Sequence, residues 1–498
     1  MNYLGVDIGT SGCKAVVVNE AGRQIWVANQ EYDVIFSDDG GAELNSDEVM
    51  QKCFAVIREC SSKVEKDSIK GLGISSQGEA FTAIDGQMTT LSPAMVSSDL
   101  RSKAQVERFL REFGEEKLYK ITGHTAHPLF TVFKLLWLKE HKPEVWKRTR
   151  FFLCFEDLLQ SRLGLEPAIS WPLAGRTMMF DVLKHRWDPD ILAAVGITHQ
   201  QLARPLSSGN IVGKINPEVA SELGLAAGTF VVTGGHDQPC SALGAGVTEA
   251  GMAMYATGTV ECITPAFAKP IFSEKLHKHN LCTYDHTVRD MYTTVAFSIT
   301  GGNILKWFRD EFAQHEVQEA RSSGKNAYEL LLEKIGNKPS HLLVLPYFTP
   351  SGTPYFDTMT KGAVLGLRLS THRSEFLRSL LEGVAFEMRL NLEILEDSGY
   401  RIDELRAVGG GAKSRIWMQL KADVIGKRIS IMNVVEAGCF GAAMLACAAD
   451  TGKSIRELAA RWVKPVTALK PQSENSGWYD QRFALYRQLY DRIKTLTI

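Results

Sequence analysis

The sequence has little of what marks several large protein classes. No apolar run approaches the roughly 18 uncharged residues that a membrane helix needs. The first residues carry no basic stretch and soon meet Asp7, so no ordinary secretory signal is expected. Net charge is nearly absent: 56 Lys and Arg stand against 57 Asp and Glu, for a formal charge of -1. Neither nucleic acid nor an anionic membrane is therefore expected as a partner. The 9 cysteines are scattered, with no C-x-x-C pair. They suggest neither a zinc site nor a disulfide framework, and predict a reduced, cytoplasmic protein. No turn matches G-x-x-x-x-G-K-[ST], and none matches G-x-G-x-x-G with its acidic partner. A P-loop or dinucleotide-binding reading has little support.

What remains is an ordinary globular composition, 45% hydrophobic and 23% charged. At 498 residues the chain is too long for one core, so two large domains are expected. Strand-like runs alternate with helical patterns, which predicts α/β layers. Tyr3–Ile8, Lys14–Asn19 and Gln24–Asn29 read as an antiparallel meander with Gly12 and Gly22 in its turns. Val49, Cys53, Val56 and Ile57 place a helix over Ser46–Cys60, and Asn45 with Glu48 gives a capping-box start. Ile69–Ser75 and Phe230–Gly234 read as strands. The stretch from Thr122 to Pro205 is richer in helix and tryptophan, with helices over Thr131–His141 and Phe155–Leu163. It reads as an insertion into the first domain.

The opening stretch LGVDIGTSGCKAVVV has a second copy in MAMYATGTVECITPAF. Gly9-Thr10 lines up with Gly258-Thr259, and Cys13 with Cys262. A duplication predicts two similar halves, with a cleft between them for a small ligand. Four glycine-rich turns recur: DIGTSGCK, ATGT, TGGNILKW and VGGGAKSR. Glycine lets backbone N–H groups approach a ligand, and a helix starting just after the turn adds its positive end. Taken singly each is plain loop chemistry. Together, around one cleft, they fit a nucleoside triphosphate. GGHDQPCSALGAG adds Asp237 at the end of a buried strand. There it reads equally as a helix N-cap or as a base facing the cleft. Phosphoryl transfer to a hydroxyl needs a carboxylate for the proton and a metal for the phosphates. Asp237 and Asp7 can divide those roles, with Mg²⁺ beside Asp7 through water.

DIGTSGCK, GGHDQPCSALGAG, ATGT, TGGNILKWFRD, KGAVLGLRLSTHRSEFLRSLLEGVAF and GGGAKS…EAGCFGAAMLA stand in an order that resembles the FGGY carbohydrate kinases, over essentially the whole chain. That family includes xylulose, ribulose, gluconate, fuculose and glycerol kinases. The resemblance implies an α/β fold of two ribonuclease-H-like domains of the actin and sugar-kinase superfamily. Residues 1–247 would hold the sugar and the base, residues 248–498 would hold ATP, and the two would close on their ligands. Asp237 matches the family's catalytic base, and Asp7 the position near Mg²⁺. Thr10, Ser11 and Lys14 match the first phosphate turn, Gly258 and Thr259 the second. Gly302 and Lys306 match positions beside the nucleotide, and Gly410, Gly411 and Ser414 the adenosine turn. A homodimer is also implied.

On the sugar side the resemblance points to Gln77, Glu79, Asp99, Asp237 and Gln238. The pattern is nearest to xylulose- and gluconate-type kinases. Glycerol kinases carry Gln-Arg-Glu where this chain has Gln77-Gly78-Glu79, and a tyrosine where it has Leu129. Xylulose kinases carry Gln-Met-His in the first of these places. Their Trp-Asn-Asp-x-Arg appears as Ser97-Ser98-Asp99-Leu100-Arg101. Gly78 is expected to leave room for a larger or differently shaped sugar. A ketose or related sugar is the expected substrate. A polyol kinase and a non-catalytic sugar or nucleotide sensor are the alternatives. Elsewhere the bland reading is preferred. Glu382, Glu387, Arg389 and Glu393 read as solvated helix residues, and Trp171 and Trp187 as core. Cys13 reads as a buried small residue, and Glu436 with Gly441-Ala442-Ala443 as close helix packing. His236 tunes the base or makes a structural hydrogen bond.

Overall fold

Two six-stranded sheets repeat one plan in the computed structural model, which describes residues 1–496. The first contains β1 (Asn2–Ile8), β2 (Gly12–Asn19), β3 (Gln24–Glu31), β4 (Ile69–Ser76), β5 (Ile211–Lys214) and β6 (Phe230–His236). The second contains β7 (Gly251–Thr257), β8 (Glu261–Pro265), β9 (Ala296–Ser298), β10 (Ile402–Val408), β11 (Arg428–Met432) and β12 (Pro465–Leu469). The spatial orders are β5-β6-β4-β1-β2-β3 and β12-β11-β10-β7-β8-β9. Each sheet is an antiparallel meander, then two parallel strands, then an antiparallel edge. The halves differ in one connection. β5 precedes its neighbour β6 in the chain, whereas β12 follows its neighbour β11.

Strand β2 reads as a continuous apolar run because both its faces are covered. On one side lies α1 (Ser46–Ser61), whose first N–H groups are met by Asn45: its Oδ1 accepts from Asp47 and Glu48 at 3.1 and 3.2 Å. The region between β4 and β5 holds the expected helices, Thr131–His141 and Phe155–Arg162. Phe133, Leu158 and Phe180 from this region share one apolar cluster with Leu4 and Leu72 of the first sheet. The insertion thus enlarges the first core rather than making its own. Trp187 is buried there. Trp171 is only partly covered and stacks on His185 at 3.8 Å.

Five further helices position the site: α2 (Asp237–Gly244), α3 (Gly302–Phe312), α4 (Arg373–Asp397), α5 (Arg415–Ile425) and α6 (Ala437–Thr451). The solvated reading of α4 fails for two of its acids. Glu382 and Glu387 are buried. Glu382 accepts from Arg378 and Tyr479, both at 2.8 Å, and Glu387 from Tyr347 at 2.9 Å and from Tyr486. Burial pushes both carboxyls up to about 7, against the pull of these donors. Arg389 and Glu393 keep to the surface side, paired with Asp480 at 2.5 Å and Arg487 at 2.6 Å.

Helix α6 comes between β11 and β12 of the second sheet in the chain but lies on the first sheet. A Cβ on Gly5 of β1 would stand 1.8 Å from the carbonyl oxygen of Cys439 in α6. A Cβ on Gly441 of α6 would stand 2.1 Å from the carbonyl oxygen of Cys240 in α2. The expected close packing of Gly441-Ala442-Ala443 is therefore contact between main chains. An apolar cluster containing Val16, Leu243, Met254 and Met444 spans this junction of the two halves.

Candidate active site

The first glycine turn links β1 to β2 through Gly9, Thr10 and Ser11. The Gly9 N–H donates to the Gly12 carbonyl at 2.9 Å. The Gly9 carbonyl accepts from the Tyr32 hydroxyl at 2.7 Å and from Gln77 Nε2 at 2.9 Å. Thr10 Oγ1 donates to Gln77 Oε1 at 3.0 Å. Gln77, expected as a sugar contact, thus spends its amide on bracing this turn. Below the turn, Ser75 Oγ donates to Asp7 Oδ1 at 2.6 Å. Burial raises the Asp7 pKa, Ser75 and Lys14 oppose the rise, and Glu436 adds to it. Lys14 lies opposite Asp7 in the strand register and reaches Glu436, just before α6, at 2.7 Å. Its pKa rises because Glu436 outweighs the cost of burial. The Lys14 carbonyl also accepts from the Cys439 thiol at 3.6 Å. Cys13 is buried beneath, as expected.

No group of three or more His, Cys, Asp or Glu side chains among the described residues makes a metal cage. Asp7 Oδ2 accepts no hydrogen bond from a described residue, while Oδ1 is held by Ser75. One free carboxylate oxygen fits Mg²⁺, which keeps most of its waters and takes few protein ligands.

Asp237 stands where β6 ends and α2 begins. Its Oδ1 is buried and has no hydrogen-bond partner. His236 Nε2 lies 3.0 Å from that oxygen but outside hydrogen-bond alignment, and His236 Nδ1 lies 2.9 Å from the Tyr284 hydroxyl. Burial, then the charges of Asp7 and Glu79, push the Asp237 carboxyl up to about 8, with Arg176 opposing. Burial and Arg176 hold His236 neutral.

Asp237 opens on a cavity of about 490 Å³, lined also by Thr10, Gln77, Glu79, Gln238, His124 and Arg176. Glu79 takes left-handed backbone geometry (φ 64°) and pairs with Arg176. The Arg176 guanidinium also lies over the rings of Phe130 and Tyr284, at 5.1 and 5.5 Å. Sequence reasoning missed Arg176 and His124, which lie in the insertion and carry no motif. Two expectations need correction. Asp99 lines no part of this cavity. It is fully buried, with Oδ2 accepting from the Ala42 N–H at 3.0 Å and from Arg101 Nη2 at 2.6 Å; only its neighbours Ser97, Ser98 and Leu100 reach the cavity. Gly78 does not open space for a larger sugar. A Cβ there would stand 2.9 Å from the His236 ring, so the missing side chain makes room for His236.

A second cavity, of about 700 Å³, brings together Gly258, Thr259, Gly302, Lys306, Gly410, Gly411 and Ser414. The turn from Gly258 to Val260 is held by the start of α3: the Gly302 N–H donates to the Gly258 carbonyl at 2.8 Å, and the Asn303 N–H to that of Thr259 at 3.2 Å. Ser414 caps α5, its Oγ accepting from the Trp417 N–H at 3.3 Å. A side chain on Gly410 would meet nothing within 4 Å. Tyr328 and Asn326 add a wall that no motif announced. Thr259, in the turn before β8, lines this cavity, and Cys262, in β8, lines the first. Ser11 and Lys14 line neither.

Two glycine–threonine turns, a buried acid and two cavities are arranged on a duplicated fold. The N-terminal domain of the FGGY family of carbohydrate kinases matches residues 2–244, and the C-terminal domain of that family matches residues 253–449. The chain belongs to this family. It is a phosphotransferase with an alcohol group as acceptor, and kinases of this family use ATP. Its two halves have the ribonuclease-H-like fold of FGGY kinases. The xylulose kinase of Bacillus subtilis (strain 168) is 29% identical over 501 residues, covering 100% of this chain and 98% of that protein. The gluconokinase of the same organism is 27% identical over 455 residues, covering 90% and 88%. The ligand-bound xylulose kinase from Lactobacillus acidophilus superimposes with a TM-score of 0.90 at 21% identity, covering 99% and 98%. No helix among the described residues is long and apolar enough to cross a membrane.

Proposed function

We propose that this FGGY kinase transfers the terminal phosphoryl group of ATP, in line, to a hydroxyl of a small sugar. The substrate is a ketose such as xylulose or a related sugar or aldonate, and Asp237 is the general base. The observation that carries this reading is the bare, buried Asp237 Oδ1 in a cavity lined by Thr10 of the first glycine–threonine turn and by Cys262, three residues after Thr259 of the second. The similarity to a xylulose kinase and a gluconokinase along most of the chain supports the sugar class.

Asp237 orients the acceptor hydroxyl and takes its proton as the bond to phosphorus forms. Thr10 and Thr259, with the N–H groups of their turns, hold phosphate oxygens. Lys14 adds positive charge from below the first turn. Asp7 would hold Mg²⁺ through water, and the ion would supply charge neutralisation on the phosphates. Adenosine lies over Gly410, Gly411 and Ser414, with Gly302 and Lys306 beside it. Gln77 fixes the first turn, and Glu79 and Gln238 face the sugar. Residues 1–247 carry the sugar side and residues 248–498 the nucleotide side. A homodimer and a cytoplasmic location complete the reading, the first testable by light scattering.

Asp237→Ala tests the base. Its kcat should fall by about 10² or more, as for a lost general base, with ATP binding nearly intact by calorimetry. A near-normal kcat would remove Asp237 from the role.

A further inference from the structure

The sugar-side cavity has a wall whose chemistry selects among sugars. His124 is only 1% exposed. Its Nδ1 lies 2.6 Å from the Thr122 carbonyl oxygen. A carbonyl only accepts, so Nδ1 carries a proton. Burial and the nearby Arg176 charge hold the ring neutral, its pKa down to about 3. Nε2 therefore presents a bare lone pair. It is buried in the cavity wall and has no partner. Asp237 Oδ1 and Gln238 Oε1 are likewise without partners in the same wall. Buried acceptors left unmet are costly, and a ligand that donates to them relieves that cost.

The cavity offers no matching free cation. Arg176 is the one permanently charged cation in its lining, and its guanidinium is paired with Glu79. His127 and His236 are held neutral by burial. Hydroxyl groups bring donors to this wall. A carboxylate brings further acceptors and finds no counter-charge.

We propose that the cavity takes an uncharged polyhydroxylated sugar, a ketose or polyol, and that His124 is a specificity-determining residue accepting a hydrogen bond from one of its hydroxyls. An aldonate is refused because Arg176 is committed to Glu79. This rests on the reading of the cavity as the acceptor site of a sugar kinase and narrows that reading's substrates by removing the aldonates.

The test is ADP release by the full chain with xylulose, ribulose, xylitol and gluconate. A neutral compound should exceed gluconate in kcat/KM by about tenfold or more, the scale of a lost charge-assisted contact. His124→Phe should raise KM for that compound about tenfold and leave KM for ATP unchanged. His124→Gln, whose amide oxygen accepts, should recover part of the loss. Glu79→Gln, which frees Arg176, should shift the ratio towards gluconate. Gluconate used as well as or better than every neutral compound overturns the proposal. So does a folded His124→Phe variant with an unchanged sugar KM. If His124→Phe fails to fold, the wild-type ratio and Glu79→Gln decide. ADP release stimulated by gluconate alone would sink this inference and leave the sugar-kinase reading standing. No stimulation by any compound would sink both.

Discussion

Gly9 to Ser11 and Gly258 to Val260 each cross between antiparallel strands in three residues, and in each the leading glycine N–H closes the turn. What braces them from outside is different. The first has one main-chain tie, the Tyr32 N–H to the Ser11 carbonyl at 3.2 Å, and is otherwise tied by the side chains of Gln77 and Tyr32; Gln77 belongs to the loop that also carries Glu79 into the sugar-side cavity. The second is tied by main-chain N–H groups at the start of α3, a wall of the nucleotide-side cavity. Duplication thus preserved the turn and exchanged its support. One turn is coupled to the acceptor side through replaceable side chains. The other is coupled to the donor side through backbone that no substitution can supply.

The sharpest way to break this contrast is Gly302→Ala. Its Cβ would stand 2.5 Å from the Gly258 carbonyl oxygen, so the second turn must move. A shift of about 1 Å at such a site costs about 10²-fold in rate, and the loss should appear in kcat/KM for ATP. Gln77→Leu should do less. It removes bonds to Gly9 and Thr10, each worth about 1 kcal/mol, so kcat should fall about tenfold while the thermal midpoint drops by a few degrees. Steady-state kinetics on both variants decide the matter. Equal effects of the two on the ATP and sugar constants would erase the distinction between the supports.

The smallest effect concerns Asp237, and it has the opposite sign. Its folded pKa is about 8 against an ordinary 3.8. The folded state therefore holds a proton that the unfolded chain has released across that interval. Its stabilising contribution is full below about pH 4 and is lost as pH rises through about 8. Asp237→Asn escapes the loss. The variant should be more stable than the parent by about 1 kcal/mol at pH 7, and nearly level with it at pH 4, in denaturant titrations. Activity runs the other way: kcat/KM of the parent should rise with pH as Asp237 ionises.

The meander was legible because its apolar runs are broken by glycine turns; Gly22 sits in the second as expected, whereas Gly12 opens β2 and the first turn is Gly9 to Ser11. The seven motif residues that line the second cavity were legible as neighbours for a related reason. Gly258, Thr259, Gly410, Gly411 and Ser414 follow strand ends, and Gly302 and Lys306 lie in the helix that starts just after a glycine turn, so motif and position coincide. The acceptor side was less so. Arg176 meets Glu79 across 97 positions of chain, and Asp99 is consumed by Arg101 and Ala42 rather than by a ligand. The acids of α4 misled in the same way. Charge on a helix reads as solvent exposure until its partners, such as Tyr479 and Tyr486 about 100 residues later, are placed. Gly78 shows the converse: an absent side chain is no evidence of empty space when His236 fills it.

The crossing of α2, α6 and β1 has a consequence for how such a molecule can change over generations. Its contacts are made by main chain, at positions where any Cβ would overlap a carbonyl. A side-chain interface can drift, since a loss on one surface can be compensated on the other. A main-chain interface offers nothing to compensate with. The two sheets are thus free to diverge in sequence while the joint between them is not, and the oldest trace of the duplication should be sought in its strand order, with the strictest limits on substitution at Gly5 and Gly441.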